Sequence, residues 1–240
     1  NNKDSNYLKS EWKGVNIQHV YSKEIFFGNF NVFITDFLSL FHAVRNENDI
    51  ILALGSAPNP LFYHLKYLTK AKIITNLAGL EWKRSKWNNL AKLIIKISEK
   101  RAIKMSDAII ADNLEIQRYI KYIYNVSSEF IAYGTKQFSN PDQNVLKKYS
   151  LRKYNYYMCV ARSQPDNNVE MILKGLLLSK ANNPIIIVGN YDNSFGRYLK
   201  NEYKLYKNII FTGGIYNYEI LSSLRWFSKI YFHGHSCGGT

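Results

Sequence analysis

The sequence predicts an α/β protein of two domains in series, each built on a mostly parallel sheet. Three observations carry that prediction. Short, β-rich apolar runs alternate with amphipathic stretches of helical length along the whole chain, which is the pattern of strand–helix repeats. The alternation breaks over residues 134–145 (GTKQFSNPDQNV), where Gly, Ser, Asn, Pro and Asp leave neither period intact, and then restarts. The 240 residues, 46% of them hydrophobic, can bury a sizeable core, while 15% aromatic and 21% charged content is unlike that of a disordered chain. We place the domains at 1–138 and 139–240.

In the first domain, strands are expected at 15–20, 50–54, 72–76, 108–111 and 130–133, each a short apolar run bounded by polar or small residues. Helices are expected at 30–44, 61–68, 87–105 and 114–124, where apolar residues recur at three and four spacing, with Asp112 or Asn113 capping the last. In the second domain, strands at 156–161, 185–188, 209–211 and 230–232 alternate with helices at 169–179, 195–206 and 218–226. No apolar run approaches the ~18 residues of a membrane span. Two cysteines, Cys159 and Cys237, make neither a disulfide framework nor a structural zinc site, so a reducing cytoplasmic setting is expected.

The 32 Lys and Arg against 18 Asp and Glu give +14, which favours an anionic partner: a phosphorylated substrate, an anionic lipid or nucleic acid. Open parallel sheets bind ligands beyond the carboxyl ends of their strands. The loops there are Gly55-Ser56-Ala57, Ala161-Arg162-Ser163, Gly189-Asn190, Thr212-Gly213-Gly214 and His233-Gly234-His235-Ser236, and none carries a G-x-G-x-x-G or P-loop fingerprint.

Arg162 follows the strand YYMCVA and precedes Pro165-Asp166-Asn167-Asn168, which reads as a helix start. A permanently charged fork beside free helical N–H groups suits a diphosphate, and the competing reading pairs Arg162 with Asp166 on the surface. The His-x-His of YFHGHSCGGT would point both imidazoles to one face, but no third ligand lies near in sequence, so ligand or backbone hydrogen bonding is favoured over metal. The loop Gly79-Leu80-Glu81-Trp82-Lys83-Arg84-Ser85-Lys86-Trp87 offers aromatic faces and charged forks to a sugar, or else begins a helix with core Trp rings. Lys92, Lys96, Lys100 and Lys104 form one helical stripe while Leu90, Leu93, Ile94 and Ile97 occupy another, a pattern fitting either a membrane-surface helix or the wet side of a docked one.

These motifs together resemble a known family. NLAGLEWKRSKW, followed by ADNLEIQRYI and FIAYG, resembles the bacterial rhamnosyltransferases whose N-terminal domain carries Asn-x-Asp-Gly-Leu-Glu-Trp-Lys-Arg-x-Lys-Trp. YYMCVARSQPDNNVEMILKG, NIIFTGGIY and YFHGHSCGGT resemble the donor domain of the same group, a branch of the family 4 glycosyltransferases. The resemblance implies the GT-B fold, two Rossmann-like domains facing across a cleft. It implies a retaining glycosyltransferase that uses a sugar nucleotide, dTDP-L-rhamnose, without metal or other cofactor, and a lipid-linked saccharide acceptor in surface polysaccharide (capsule) synthesis.

By matching position, the resemblance assigns donor binding to Arg162, to Gly213, Gly214 and Tyr216, and to His235, Gly238, Gly239 and Thr240; Asn167, Gly189 and His233 join them as donor-side candidates from the strand-end loops. It assigns the acceptor side or cleft to Glu81, Trp82, Lys83 and Arg84, and Gly79 and Trp87 of the same loop are taken with them; the lysine stripe Lys92, Lys96, Lys100 and Lys104, read from its spacing, is the candidate for peripheral contact with the inner face of the cytoplasmic membrane. The resemblance names no catalytic side chain. Ala78 stands where the family has Asp, and Asn167 and Asn168 where relatives place a Lys beside the Arg. The family's first βα unit is expected ahead of Asn1 and its donor-binding Glu beyond Thr240. The alternative functions are a sugar-nucleotide-binding protein without catalysis and a basic nucleic-acid-binding module. The second is disfavoured because no recognition motif appears.

Overall fold

The computed structural model describes residues 10–20, 31–57, 59–84 and 87–236. The chain divides into two compact units, the first running to Tyr133 and the second from Gly134 onward, with Arg84 grouped with the second.

The first unit opens on a hairpin, β1 (Glu11–Trp12) and β2 (Val15–Asn16), turned at Gly14 with φ +81°. The strand expected at 15–20 is thus only two residues long: the turn pairs Val15 with Trp12 and Asn16 with Glu11, and past them a single bond from the Ile17 N–H to the Ser10 carbonyl (2.7 Å) closes the hairpin. Helix α1 (Asn31–Arg45), β3 (Ile50–Leu54), a 3-10 segment (Asn59–Leu68), β4 (Lys72–Leu77), α2 (Asn89–Met105), β5 (Ala108–Ala111), α3 (Leu114–Tyr124) and β6 (Glu129–Phe130) follow. The sheet is parallel in the order β3-β4-β5-β6.

One face of this sheet carries the core. Leu40 and Val44 of α1, Tyr63 and Leu65 of the 3-10 segment and Ala102 of α2 close over Ile51, Ala53 and Ile73. Ile103, Ile116 and Ile120 close over Leu77, Ile109 and Ala111. On the other face Ile50, Leu52 and Leu54 are exposed, Leu54 by 75%.

Helix α2 starts at Asn89 rather than Trp87 because the Asn88 side chain accepts the Ala91 N–H, which ends the loop there. Its buried face is Ile95, Ser98, Glu99, Ala102 and Ile103, whereas the apolar stripe read from the sequence points outward: Leu93 is 55% and Ile97 47% exposed, and Leu90 more so. Three-and-four spacing is met on both sides of this helix. The inward choice follows from Glu99, whose Oε1 accepts the hydroxyls of Tyr119 (2.6 Å) and Tyr124 (2.7 Å) on α3. Burial and Glu99 push the Tyr119 hydroxyl up to about 12.

The second unit runs from a 3-10 segment (Gln143–Tyr149) through β7 (Tyr157–Val160), a short turn (Pro165–Asn167), α4 (Val169–Leu178), β8 (Ile185–Val188), α5 (Ser194–Glu202), β9 (Ile209–Gly213) and α6 (Tyr218–Trp226) to β10 (Ile230–Phe232). The sheet is parallel, in the order β10-β7-β8-β9. Val169, Leu173, Leu176 and Leu199 of α4 and α5 cover one face, against Cys159, Ile185 and Ile187. Leu146, Leu151, Leu224 and Phe227 cover the other, against Met158, Ile186 and Val188. Burial pushes the Cys159 thiol up to about 11, which makes it an inert core group. Because all four strands run the same way, the loops after β7, β8, β9 and β10 emerge at one edge of the sheet.

Candidate functional site

At the carboxyl end of β7, the chain from Arg162 to Asn168 is a knot of short hydrogen bonds. The Arg162 carbonyl accepts the Gln164 N–H and the Asn167 side-chain amide, both at 2.8 Å. The Ser163 hydroxyl donates to the Asn190 carbonyl after β8 (2.8 Å), and the Asn193 amide donates to the Ser163 carbonyl (2.9 Å). Asn168, left-handed at φ +52°, donates its amide to the Gly234 carbonyl after β10 (2.7 Å). Pro165–Asn167 is a turn rather than the first turn of α4, since Asn168 takes this left-handed conformation between them.

The loop fixes the backbone of Arg162 and leaves its side chain outward. Arg162 is exposed and, among the described residues, makes no ion pair. Asp166, which could have held it, is instead buried, its side chain 3% exposed, and takes Arg84: Nε donates to Oδ2 at 2.8 Å while Nη2 donates to the Gln164 side-chain oxygen at 2.9 Å. The carbonyl of Asp166 accepts both the N–H (3.0 Å) and hydroxyl (2.9 Å) of Ser236.

His233 and His235 stack with ring centroids 4.3 Å apart. Burial, the neighbouring His233 and the Arg162 charge hold His235 below the ordinary histidine range, and its Nδ1 is buried without a protein partner. A neutral imidazole at this edge offers one donor and one acceptor. Among the described residues no three His, Cys, Asp or Glu converge as a metal site.

The glycines of this edge differ in role. A Cβ on Gly189 would lie 2.1 Å from the Ala161 carbonyl oxygen, and its N–H donates to the Gly213 carbonyl (3.0 Å), so Gly189 joins the ends of three strands. Gly213 takes φ +77° with open space around it. Gly214 lies against the ring of Tyr216, which is 92% exposed. Gly238, Gly239 and Thr240 lie outside the described residues, as do Ser85, Lys86 and Cys237.

In the first unit, Gly79 (φ +131°) turns the chain out of β4 into a short 3-10 segment, Glu81–Lys83. The Trp87 indole N–H donates to Glu81 Oε1 (3.1 Å), closing the loop on itself. The Trp82 ring takes the Lys96 ammonium at 4.1 Å and that of Lys83 at 5.5 Å, so the 3-10 segment is clamped to α2. Lys96, Lys100 and Lys104 are exposed and Lys92 half-buried, beside the outward Leu90, Leu93 and Ile97.

The structure thus brings Arg162, Asn167, His233, His235 and Arg84 into one edge of the second unit, and keeps Glu81, Trp82 and Trp87 together in the first. Sequence reasoning placed Asp166, Gly234 and Ser236 in these strand-end loops but did not foresee the contacts they make there. A Cβ on Gly234 would lie 2.6 Å from the Asn167 carbonyl, a tight approach that the small residues of HGHS could have signalled. No local signal marks the Arg84–Asp166 pair, whose members are far apart in sequence.

The architecture is shared with proteins of the GT-B class. The structure of Anabaena Alr3699/HepE in complex with UDP and glucose superposes with a TM-score of 0.69 at 12% identity, over 92% of this chain and 61% of that one. Sucrose-phosphate synthase from Thermosynechococcus elongatus gives 0.66 at 14% identity, over 86% and 55%. UDP-N-acetylglucosamine 2-epimerase from Rickettsia bellii gives 0.56 at 16%, over 82% and 54%. The chain therefore spans little more than half of each of these proteins, and at such identities the likeness is one of fold. In sequence, the Cell morphogenesis protein PAG1 of Saccharomyces cerevisiae is 27% identical over 136 residues, 52% of this chain and 6% of that protein. No described helix is long and apolar enough to cross a membrane. Through residues 5–136, more than half of its length, the chain belongs to the family described as Domain of unknown function (DUF1972).

Proposed function

We propose that this chain is part of a glycosyltransferase that takes its sugar from a nucleoside diphosphate donor held at the strand ends of the second unit. The observation that carries the reading is Arg162: an exposed guanidinium on a fixed backbone, without a counter-ion among the described residues, at the edge where parallel sheets receive ligands, beside a histidine disposed to be neutral. Such a group neutralises the leaving diphosphate as charge develops on it. The fold likeness to a protein solved with UDP and glucose supports a sugar nucleotide as the donor.

The finer identity rests on the GLEWKR and HGHS strings: dTDP-L-rhamnose as donor, retention of configuration and a lipid-linked saccharide as acceptor in surface polysaccharide synthesis. In this reading the acceptor oxygen bonds to the anomeric carbon from the face on which the sugar–diphosphate C–O bond breaks, and its proton passes to the leaving phosphate oxygen. Cationic and backbone groups do the work a metal does elsewhere, and the Glu81–Lys83 loop meets the acceptor. The lysines of α2, with Leu93 and Ile97 outward among them, rest on the anionic inner face of the cytoplasmic membrane, where that acceptor is found. A binding protein without catalysis is the second reading, favoured by Ala78, which is exposed where the family has Asp.

Thermal shift across dTDP, dTDP-rhamnose, UDP, GDP and ATP tests the donor. A ligand at ~100 times its dissociation constant adds about 2.7 kcal/mol, so dTDP-rhamnose should raise Tm most. Equal shifts across the panel remove the donor assignment. Transfer of radiolabelled rhamnose to a membrane extract separates catalysis from mere binding.

A further inference from the structure

We infer that Arg84 is a positioning residue: by holding the Asp166 carboxylate, it keeps Arg162 free to take an anion. The inference rests on the reading of Arg162 as a diphosphate ligand. Its starting point is a choice that the loop forces. Asp166 is buried, and a buried carboxylate without a counter-ion is strongly disfavoured. Two guanidiniums bear on it: Arg84, paired with it at 2.8 Å, and Arg162, in the same hydrogen-bonded loop. Arg162 is the local candidate, four residues before Asp166 and tied to it through a loop whose carbonyls at both ends are hydrogen-bonded. Yet Arg84 takes the carboxylate, with Gln164 receiving its second N–H as a further orienting contact.

The consequence is a matter of net charge. With Arg84 in place, the Arg84–Asp166 pair sums to zero and Arg162 presents an uncompensated positive charge to the outside. Without it, Arg162 becomes the nearest cation for a buried carboxylate, the local sum falls to zero, and an arriving diphosphate meets no attraction. This arrangement makes one arginine at the strand end sufficient where Asn167 and Asn168 supply no second cation. The alternative role for Arg84 is as an anion ligand in its own right.

The test is isothermal titration of inorganic pyrophosphate and of dTDP into the wild type, Arg84→Gln, Asp166→Asn and the double variant. Arg84→Gln should bind both probes at least about tenfold more weakly, as expected for loss of a charge-assisted contact. Asp166→Asn should bind as tightly as wild type or more so. Removing the carboxylate from the Arg84→Gln protein should bring affinity back to within about threefold of wild type, a rescue that a direct-ligand role for Arg84 does not produce. Weak binding by an Arg84→Gln protein that keeps the wild-type Tm separates the positioning role from a merely structural one, and weak binding that only follows a lowered Tm overturns it. Unchanged binding by Arg84→Gln, or a double variant that stays weak, overturns the inference. Where Arg84→Gln alone does not fold, weak binding by the folded double variant does the same. Wild type that binds pyrophosphate but not dTDP removes the glycosyltransferase reading while the variants still decide the role of Arg84. Wild type that binds neither removes both.

Discussion

Strand β8 (IIIV) is buried at every residue, whereas β3 (IILAL) alternates, with Ile51 and Ala53 inside and Ile50, Leu52 and Leu54 outside. Both read as the continuous apolar runs of a parallel sheet covered on two faces. In the second unit that cover exists, α4 and α5 on one side and the 3-10 segment with α6 on the other. In the first, the described helices all lie on one side. An apolar strand therefore states what its two faces would accept, not what the surrounding elements supply. Stability should be unevenly spread as a result, with the second sheet opening only in global unfolding and β3 opening locally.

The largest expected effect is in the two-faced sheet. Leu173→Ala removes a fully buried side chain between α4 and β7, and should lower unfolding free energy by about 3 kcal/mol in urea titration. A loss below about 1 kcal/mol would mean that this unit is as loosely covered as the other. Next comes the outward face of α2. Exchanging Lys92, Lys96, Lys100 and Lys104 for Glu should abolish sedimentation with phosphatidylglycerol vesicles at low salt, at about 1 kcal/mol per lysine. Leu93→Ser with Ile97→Ser should weaken that binding at all salt concentrations; if neither set changes it, the face is simply wet.

A smaller effect concerns Asp36 on α1. Burial pushes its carboxyl up to about 6, against the opposing pull of the Asn59 backbone hydrogen bond. The folded state holds this proton more tightly than the unfolded chain, so the stabilisation is complete below about pH 4 and fades as pH rises through about 6. Asp36→Asn should thus be more stable than wild type at pH 7.5, by about 1 kcal/mol once screening is allowed for, and no more stable at pH 4. Thermal melts at the two pH values check the sign. Smallest of all, Leu54→Ala on the open face should change stability by no more than about 0.5 kcal/mol, and a loss like that of Leu173→Ala would show that something covers β3.

Much of the fold was legible because local rules and tertiary cover agree. Ile50–Leu54, Ala108–Ala111, Leu114–Tyr124, Ile185–Val188, Tyr218–Trp226 and Ile230–Phe232 begin and end where apolar period and flanking polar residues place them. Asn113, one of two candidate caps for α3, is the one that accepts the Ile116 N–H. The errors arise where a long-range partner decides. Helix α2 has two stripes that satisfy the same spacing, and Glu99 chooses between them through tyrosines on another helix. Helix α5 stops at Glu202, short of the expected Tyr206, and Tyr203 is buried beyond its end. The place of Arg162, just after β7 at the strand ends, was readable. The pairing of Asp166 with Arg84 rather than with Arg162 was not, because the partner comes from before α2.

Gly189 bears on how variation at this edge should be interpreted. In a saturation library scored for activity, every replacement at 189 would drive a side-chain carbon into the Ala161 carbonyl, so the position would be as intolerant as a true ligand contact. Gly213, with open space beside it, meets no such collision, although its positive φ penalises other residues. Scoring the same library for folded abundance separates the two kinds of constraint: substitutions at 189 should vanish from the soluble pool, whereas those at Arg162 should remain in it while activity is lost.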